Sequence, residues 1–297
     1  MKILVTGSNG LVGSHFVENY VSSKNLVILS PTQGELDITD KKSVEKFFKL
    51  HAPEIIIHFA AFTDVAVAEK QRNNKNAPCW IVNVEGTANL IRAAHPATYF
   101  ISISTDVVFS GKKENPGPYS ENDVPEENLD FLSWYGLTKK EAEKLVKNNL
   151  KKAAILRISN PSRAKYTRKP DYIRKILKLY DTGKLYPMFN NQYLTLTYIN
   201  EVTETLKALL AKRSTGIFHT SSVNVFTPYK LSNYLIEKAR GIKNAVKPIS
   251  IESFLKDSPI RYPQYGGLKV KKTQKILNLK FLKWEETIEI LAKQLLI

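Results

Sequence analysis

A glycine-rich motif near the start of the chain constrains the fold more than any other feature. The run Thr6-Gly7-Ser8-Asn9-Gly10-Leu11-Val12-Gly13 follows a predicted strand, Lys2–Thr6, and opens a predicted helix, Leu11–Ser23. Gly7 permits a tight turn, Gly10 lets the backbone approach a pyrophosphate, and Gly13 lets the helix pack closely. Free N–H groups at a helix start bind phosphates, so this unit predicts a dinucleotide site. The expected contacts are Gly7, Ser8, Asn9, Gly10, Leu11 and Val12.

Short apolar runs alternate with helical patterns through the first half of the chain. Glu54–Phe59, Tyr99–Ser104 and Ala153–Ser159 are predicted strands, and Glu35–Ile38 is a shorter one. Nearly continuous apolar strands separated by helices of ten or more residues indicate a parallel sheet covered on both faces. Right-handed crossovers then give an α/β fold with a doubly wound parallel sheet of the Rossmann type.

The regular alternation fades after about residue 160, which predicts a second, smaller lobe. We expect a dinucleotide-binding Rossmann domain over residues 1–160, to which the chain returns at about 192–221. Residues 161–191 and 222–297 would then form a small, mixed C-terminal substrate-binding lobe.

Charge is distributed unevenly between the two halves of the chain. The net charge is +16, yet residues 1–150 carry 16 basic and 18 acidic side chains, whereas residues 151–297 carry 28 and 10. This asymmetry suggests an anionic partner on the second half: a nucleic acid, a membrane surface or a phosphorylated small molecule. Lysines on solvated helix faces explain it equally well. Because the sequence has no nucleic-acid-binding module, we expect no nucleic-acid partner.

Composition excludes several classes of protein. One Cys among 297 residues excludes a disulfide framework, and the five His show no paired spacing, so we expect no metal site. No run approaches the roughly 18 apolar residues of a membrane span, and the N-terminus does not read as a signal peptide. We therefore expect a cytoplasmic protein that does not associate with membranes.

The residues at the end of the second predicted strand, Asn25–Ser30, bear on the choice of cofactor. The run Leu29-Ser30-Pro31-Thr32-Gln33 holds no acid and no Arg. NAD-preferring enzymes usually place an acid here, and a carboxylate would repel a 2′-phosphate. NADP(H) is therefore favoured over NAD(H), with hydroxyls such as that of Ser30 as ligands. Asp37 is placed to accept a hydrogen bond from the adenine amine or to cap a helix, and both readings stay open.

Tyr135 and Lys139 stand four residues apart at the start of the predicted helix Trp134–Leu150, on one helical face. A lysine ammonium beside a phenol would lower the Tyr pKa from about 10 toward neutrality. Such a Tyr can donate or accept a proton at a carbonyl or alcohol during hydride transfer. Most such pairs are ordinary helix surface. The hypothesis therefore rests on Ser104 and Thr105 at the end of a strand, where the Thr105 hydroxyl could bond the same substrate oxygen.

Together these motifs resemble the extended short-chain dehydrogenase/reductase superfamily and, within it, the dTDP-4-dehydrorhamnose reductase family. The likeness covers nearly the whole chain. Besides the glycine motif, the runs that carry it are Leu36-Asp37-Ile38-Thr39-Asp40, Ala60-Ala61-Phe62-Thr63, Val82–Leu90, Ile103–Gly111 and Arg261-Tyr262-Pro263. The resemblance implies hydride transfer from NAD(P)H to a 4-keto-6-deoxy nucleotide sugar. It also implies a triad of Thr105, Tyr135 and Lys139, with Tyr135 as the proton donor.

The resemblance also implies further contacts. For the cofactor these are Ile38, Ala60, Ala61, Thr63, Tyr135 and Lys139, and for the substrate Thr105, Asp106, Val107, Arg261 and Lys271. Arg261 and Lys271 (or Lys272) could clamp the two phosphates of a nucleotide sugar. Val107 and Ala66 depart from the family pattern near the expected sugar pocket, so the identity of the sugar stays open.

Two other functions are compatible with the motifs. One is an epimerase of the same superfamily that retains NAD. A dehydratase is disfavoured, because Thr105 is followed by Asp106-Val107 rather than by Asp-Glu. The other is a non-catalytic NADP-binding regulatory subunit, resembling the relative that associates with methionine adenosyltransferase. The expected partner is a nucleotide sugar, and the chain could form a homodimer.

Overall fold

The computed structural model describes residues 1–20, 26–256 and 261–295, and its frame is a six-stranded sheet. The strands are β1 Lys2–Thr6, β2 Val27–Leu29, β3 Ile55–His58, β4 Tyr99–Thr105, β5 Ala153–Ile158, β6 Pro161–Ser162, β7 Met188–Phe189, β8 Thr197–Tyr198, β9 Gly216–Thr220 and β10 Pro248–Ile249. The helices are α1 Leu11–Asn19, α2 Lys41–His51, α3 Val65–Glu69, α4 Pro78–Trp80, α5 Gly86–Ala93, α6 Trp134–Asn149, α7 Tyr172–Asp181, α8 Ile199–Lys212, α9 Pro228–Arg240, α10 Ile251–Leu255, α11 Lys271–Leu277 and α12 Trp284–Leu295.

The main sheet has the strand order β2-β1-β3-β4-β5-β9, and every neighbouring pair is parallel. Thr6 pairs with His58 and His58 with Ser102, so the carboxyl ends of β1, β3 and β4 lie side by side. The chain runs from β1 outward to β2 and then returns to the other side of β1 with β3. Ligands bind at such a reversal point in open α/β sheets. The predicted fold class, a doubly wound parallel sheet, is confirmed.

Apolar side chains cover both faces of the sheet, as the continuous apolar strands predict. On one face Val5 and Ile57 pack with Phe16 of α1 and Leu206 of α8. On the other face the partners are Leu4, Ile56, Phe100, Phe47, Leu90 and Val146, the last three from α2, α5 and α6. Fully burying one such side chain contributes about 1.5–3 kcal/mol. These two layers hold the strand ends, and hence the loops that follow them, in fixed positions.

A third apolar cluster lies outside the main sheet. It joins Ile176 of α7, Leu235 of α9 and Ile288 of α12, all buried. The two-stranded pairs β10-β7 and β6-β8 are also parallel. The assignment of chain segments to two domains stays a prediction.

The predicted strand Glu35–Ile38 is wrong, because these residues form turns. The Glu35 carboxylate accepts hydrogen bonds from Thr32, and Asp37 accepts from the backbone N–H of Thr39 at 2.9 Å. Side-chain bonds of this kind satisfy the backbone locally and favour turns over strands. The last three residues of the predicted helix Leu11–Ser23 lie outside the described residues, and α1 ends at Asn19.

The helical stretch from Pro78 to Ala93 is interrupted by a different geometry. Between α4 and α5 the segment Ile81–Glu85 is a π-helix, so the chain carries one extra residue in that turn. Such π-turns are frequent at functional sites. None of the helices within the described ranges combines the length and the apolar character needed to span a bilayer.

Candidate active site

A cleft of about 830 Å³ lies at the carboxyl ends of β1, β3 and β4. Its volume falls within the range of small-molecule and cofactor sites. The predicted site residues that line it are Gly7, Ser8, Asn9, Gly10, Leu11, Val12, Asp37, Ile38, Ala60, Ala61, Thr63, Thr105, Asp106, Val107, Tyr135 and Lys139. Ser30, Arg261 and Lys271 are not among the lining residues. The fold thus brings the predicted cofactor loop and the predicted triad into one cleft.

The glycine loop packs directly on the end of β3. Gly7 has a φ of 67°, and a β-carbon there would lie 2.6 Å from the Ala60 nitrogen. Gly10 caps α1 without a side chain, and among the described residues its β-carbon would have only the Gly7 carbonyl oxygen within 4 Å. The first turn of α1 therefore presents backbone N–H groups across open space. The residues present fit the diphosphate of a dinucleotide.

The end of β2 holds an acid that the sequence prediction missed. Pro31 and Gln33 line the cleft, and Thr32 between them donates from its N–H and Oγ1 to Glu35 Oε2, at 2.7 and 2.9 Å. These two hydrogen bonds lower the pKa of the Glu35 carboxyl, so it is ionised at neutral pH. Because Glu35 brings a carboxylate back to this segment, the absence of an acid in residues 29–33 does not by itself decide between NADP(H) and NAD(H). The sequence signal for this turn was a Thr followed three residues later by a Glu, a spacing at which the two side chains can hydrogen-bond across a turn.

Ser30 and Asp37, two other polar residues in the segment after β2, both hydrogen-bond within the protein. Ser8 Oγ donates to the Ser30 carbonyl at 3.4 Å, so Ser30 supports the glycine loop. Asp37 lines the cleft, but its Oδ1 accepts from the Thr39 hydroxyl at 2.7 Å. The helix-cap reading of Asp37 is wrong, because Asp40 caps α2 by accepting from the N–H of Lys42. Its adenine reading stays a prediction.

The Thr105 hydroxyl is oriented by the residue that follows it. It donates to Asp106 Oδ1 at 3.2 Å and accepts from the N–H of Val107 at 3.3 Å. Asp106 Oδ2 accepts from Ser159 Oγ at 2.6 Å, and the backbone of Gly267 also bonds this carboxylate. Burial raises the pKa of Asp106, against these hydrogen bonds. Since both oxygens are engaged within the protein, Asp106 positions Thr105 rather than presenting a free carboxylate to a ligand.

Tyr135 enters the cleft from the first turn of α6. Ser133 caps this helix by accepting from the N–H of Gly136 at 3.1 Å. A β-carbon at Gly136 would lie 2.1 Å from the Val107 carbonyl oxygen, so the helix start touches the segment after β4. This contact places Tyr135 beside Thr105 and Asp106.

Burial raises the pKa of the Tyr135 phenol, and the nearby Asp106 carboxylate raises it further. The predicted lowering of this pKa toward neutrality is wrong for the structure as described. Lys139 Nζ donates instead to the Ile103 carbonyl of β4, at 2.8 Å. Burial lowers the pKa of Lys139 to about 8. Sequence spacing places both groups on one helical face, but only the tertiary structure sets how deeply each is buried.

A buried polar cluster joins the cofactor side of the cleft to α6. Asn83, in the π-helical segment, accepts from the N–H of Phe62 at 2.8 Å and donates to Thr138 Oγ1 at 2.9 Å. Cys79 Sγ lies 3.6 Å from the same hydroxyl. Because Thr138 precedes Lys139, this cluster fixes Lys139 relative to the loop after β3. Asn83 is a positioning residue that sequence reasoning missed, and a buried amide in an apolar helical pattern was the signal.

His58 at the end of β3 is a buried core residue with both ring nitrogens hydrogen-bonded. Its ring nitrogens lie 2.8 Å from Thr6 Oγ1 and 3.0 Å from Thr87 Oγ1. Burial lowers its pKa to about 3, so it is neutral at physiological pH. Among the described residues no group of three or more His, Cys, Asp or Glu side chains could hold a metal ion.

The two predicted phosphate-clamp residues lie apart from the cleft lining. Arg261 NH1 donates to Glu69 Oε1 at 3.1 Å, and Glu69 Oε2 accepts from the N–H of Trp134, the residue before Tyr135. Arg261 is therefore adjacent to the start of α6. Lys271 is an exposed residue at the first position of α11. The structure does not bring these two cations together with the triad.

One basic residue lines the cleft without having been predicted. Arg168 belongs to the loop before α7 and is a lining residue together with Asn9 and Gln33. The sequence marks its surroundings as a basic loop, but the position of that loop over the glycine motif is a tertiary feature.

Comparisons with known proteins agree with this architecture. The family model described as RmlD substrate binding domain matches residues 1–297. A dTDP-4-dehydrorhamnose reductase of Sinorhizobium fredii is 29% identical over 311 residues, covering 100% of this chain and 98% of that protein. A crystal structure of a dTDP-4-dehydrorhamnose reductase from Clostridium acetobutylicum superposes with a TM-score of 0.86 at 27% identity, covering 100% of both chains. One from Bacillus anthracis, in complex with NADP, gives 0.85 at 25% identity and 99% of both.

Proposed function

The chain belongs to the RmlD substrate binding domain family, and from that premise we propose that it reduces the ketone of a 4-keto-6-deoxy nucleotide sugar with NAD(P)H. Its relatives of matching length include dTDP-4-dehydrorhamnose reductases, so the predicted oxidoreductase of this type is confirmed at the level of the family. The observation that carries the proposal is the meeting of Thr105, Tyr135 and Lys139 with the glycine loop in one cleft.

The dinucleotide, when bound, supplies a hydride to the carbonyl carbon of the sugar. Tyr135 donates its phenolic proton to the carbonyl oxygen, which gives an alcohol and leaves a phenolate. The Thr105 hydroxyl, whose hydrogen Asp106 accepts here, turns that hydrogen to the same oxygen and so orients the ketone. Hydride and proton together balance the reduction.

The raised pKa of Tyr135 suits a proton donor in the direction of ketone reduction. Burial keeps the phenol protonated at neutral pH, which is the form that can give up a proton. Lys139, with a pKa of about 8, is mostly charged at pH 7 and stabilises the phenolate that forms. The ammonium therefore acts on the product state of the proton transfer.

The proposed cofactor is NADP(H), because a relative with nearly complete overlap is crystallised with NADP. Glu35 opposes this choice through its charge. Its carboxylate accepts two hydrogen bonds from Thr32, and Glu35 is not a lining residue of the cleft. For the substrate, Arg261 beside the start of α6 stays the proposed phosphate contact. Its guanidinium would either leave Glu69 for the phosphate or bond both groups at once.

The direct experiment mixes purified protein with NADPH and dTDP-linked 4-keto-6-deoxy sugars and follows the nicotinamide absorbance. We expect the absorbance to fall with at least one sugar, and we expect the Tyr135→Phe variant to turn over at least about a hundredfold more slowly while still binding NADPH. Cofactor binding without turnover of any 4-keto sugar would contradict the proposal and favour a non-catalytic subunit. Oxidised NAD retained through purification would favour an epimerase.

A further inference from the structure

A basic segment from the loop before α7 lies across the glycine loop. We call residues 163–168 the strap. We propose that Arg168, at the end of the strap, binds a phosphate group of the dinucleotide. This inference rests on the proposed function, since it needs a dinucleotide in the cleft.

Three contacts hold the strap against the glycine loop and α1. The Tyr166 hydroxyl donates to the carbonyl oxygen of Asn9 at 2.8 Å. Arg163 NH1 donates to the Leu11 carbonyl at 3.3 Å and to Ser14 Oγ at 3.0 Å. Asn9 and Leu11 flank Gly10, the residue that caps α1. The strap therefore sits at the position where the loop presents its backbone N–H groups.

The other side of the strap is fixed to α7. Asp171 caps this helix and accepts from the N–H of Arg163 at 3.1 Å and from Arg174 Nε at 2.9 Å. Arg174 also donates to the carbonyl oxygen of Tyr166, and its guanidinium lies 5.9 Å from that ring. These hydrogen bonds, together with those to the glycine loop, fix the position of the strap backbone that leads to Arg168.

Charge pairing leaves Arg168 available to a ligand. Glu18 pairs with Arg163 at 2.9 Å, and Asp171 pairs with Arg174. Arg168 lines the cleft, is exposed, and has no hydrogen bond or ion pair with any residue in the described part of the chain. A guanidinium in this state can bond a phosphate in bidentate fashion.

Two phosphate-bearing positions of the dinucleotide would lie within this neighbourhood. The diphosphate belongs at the start of α1, whereas the 2′-phosphate of NADP belongs at the end of β2. The glycine loop contacts the end of β2 through Ser8 and Ser30, and it contacts the strap through Asn9 and Tyr166. Arg168 lines the same cleft as Asn9 and Gln33, so both positions lie near it. The diphosphate and the 2′-phosphate would bond a guanidinium in the same way, and a comparison of NADPH with NADH distinguishes them.

The experiment measures dissociation constants of NADPH and NADH by calorimetry for the wild type, Arg168→Ala and Lys169→Ala. Lys169 is an exposed cation next in sequence that does not line the cleft, which makes it the matched control. Loss of a charged hydrogen-bonded pair should weaken binding by about tenfold or more in Arg168→Ala. Weaker binding of NADPH alone identifies the 2′-phosphate, and equal weakening of both cofactors identifies the diphosphate. Arg168→Lys should recover part of the affinity.

Unchanged constants in Arg168→Ala, or an equal loss in Lys169→Ala, would overturn the inference. The melting temperature of Arg168→Ala should match that of the wild type, since the side chain has no partner among the described residues. A wild type that binds neither cofactor would overturn both proposals. A wild type that binds cofactor but reduces no sugar would overturn the proposed function alone.

Discussion

Gly136 touches Val107 so closely that a β-carbon at position 136 would lie 2.1 Å from the Val107 carbonyl oxygen. Val107 follows the Thr105-Asp106 pair, and Gly136 follows Tyr135. This contact therefore fixes the start of α6, which carries the proposed proton donor Tyr135, against the segment that follows Thr105, the residue proposed to orient the ketone.

We expect Gly136→Ala to lower both stability and turnover, because the new methyl group forces the start of α6 away from Val107. Overpacking of this kind costs about 1–3 kcal/mol, which corresponds to a decrease of a few degrees in melting temperature. Thermal unfolding and initial rates measure the two effects. Gly34→Ala is the control, since its β-carbon would lie 4.0 Å from its nearest neighbour, Thr32 Oγ1. A Gly136→Ala protein with wild-type rates would show that the contact does not position Tyr135.

We expect Tyr135→Phe to lower turnover by about 10²–10⁴-fold, the usual contribution of a positioned acid or base. Affinity for NADPH should change little, because the phenylalanine ring keeps the same packing. The measurements are steady-state kinetics and calorimetric titration with the cofactor. Tyr265→Phe, whose ring stacks on Tyr193, is the control and should keep its activity. Substantial turnover by Tyr135→Phe would exclude the phenol as the proton source.

The rate of reduction should decline as the pH rises past about 8. Burial lowers the pKa of Lys139 to that value, and above it the amine is neutral and no longer stabilises the phenolate. A pH–rate profile of turnover at saturating substrate measures this limb. In Lys139→Arg the side chain stays charged at every pH tested, so any remaining activity should lack the decline near pH 8. A wild-type profile that is flat to pH 10 would contradict the assignment.

Glu35→Gln should shift the cofactor preference toward NADPH. Removing the carboxylate bonded to Thr32 removes its repulsion of the 2′-phosphate of NADPH. The dissociation constant of NADH, which lacks that phosphate, should change little. For an exposed charge, screened by salt, we expect a change of a few-fold in the ratio of the two dissociation constants. Glu45→Gln, an exposed acid on α2 paired with Lys41, is the control. An unaltered ratio would show that Glu35 lies too far from the cofactor to matter.

Local sequence signals were sufficient for the sheet and for the phosphate loop. Apolar runs such as Tyr99–Ser104 must be buried on both faces, and they extend in the structure to Thr105. The turn at Gly7, with its φ of 67°, needs a residue without a β-carbon. These features depend on residues close together in the chain, so a pattern of a few residues predicts them. The sequence motifs that resemble the reductase family also identified Thr105, Tyr135 and Lys139, and the fold brings these three residues into the cleft with the glycine loop.

Only the tertiary structure decided the electrostatics of the site. The pKa of Tyr135 follows from its burial and from Asp106, and the charge at the end of β2 follows from a turn that brings Glu35 back to Thr32. Arg168 reaches the cleft because Tyr166 bonds Asn9, which lies 157 positions away in the chain. Burial and through-space distance depend on segments that fold together from remote parts of the sequence. The chain by itself therefore determined which chemical groups were present, and packing determined their charge states and their neighbours.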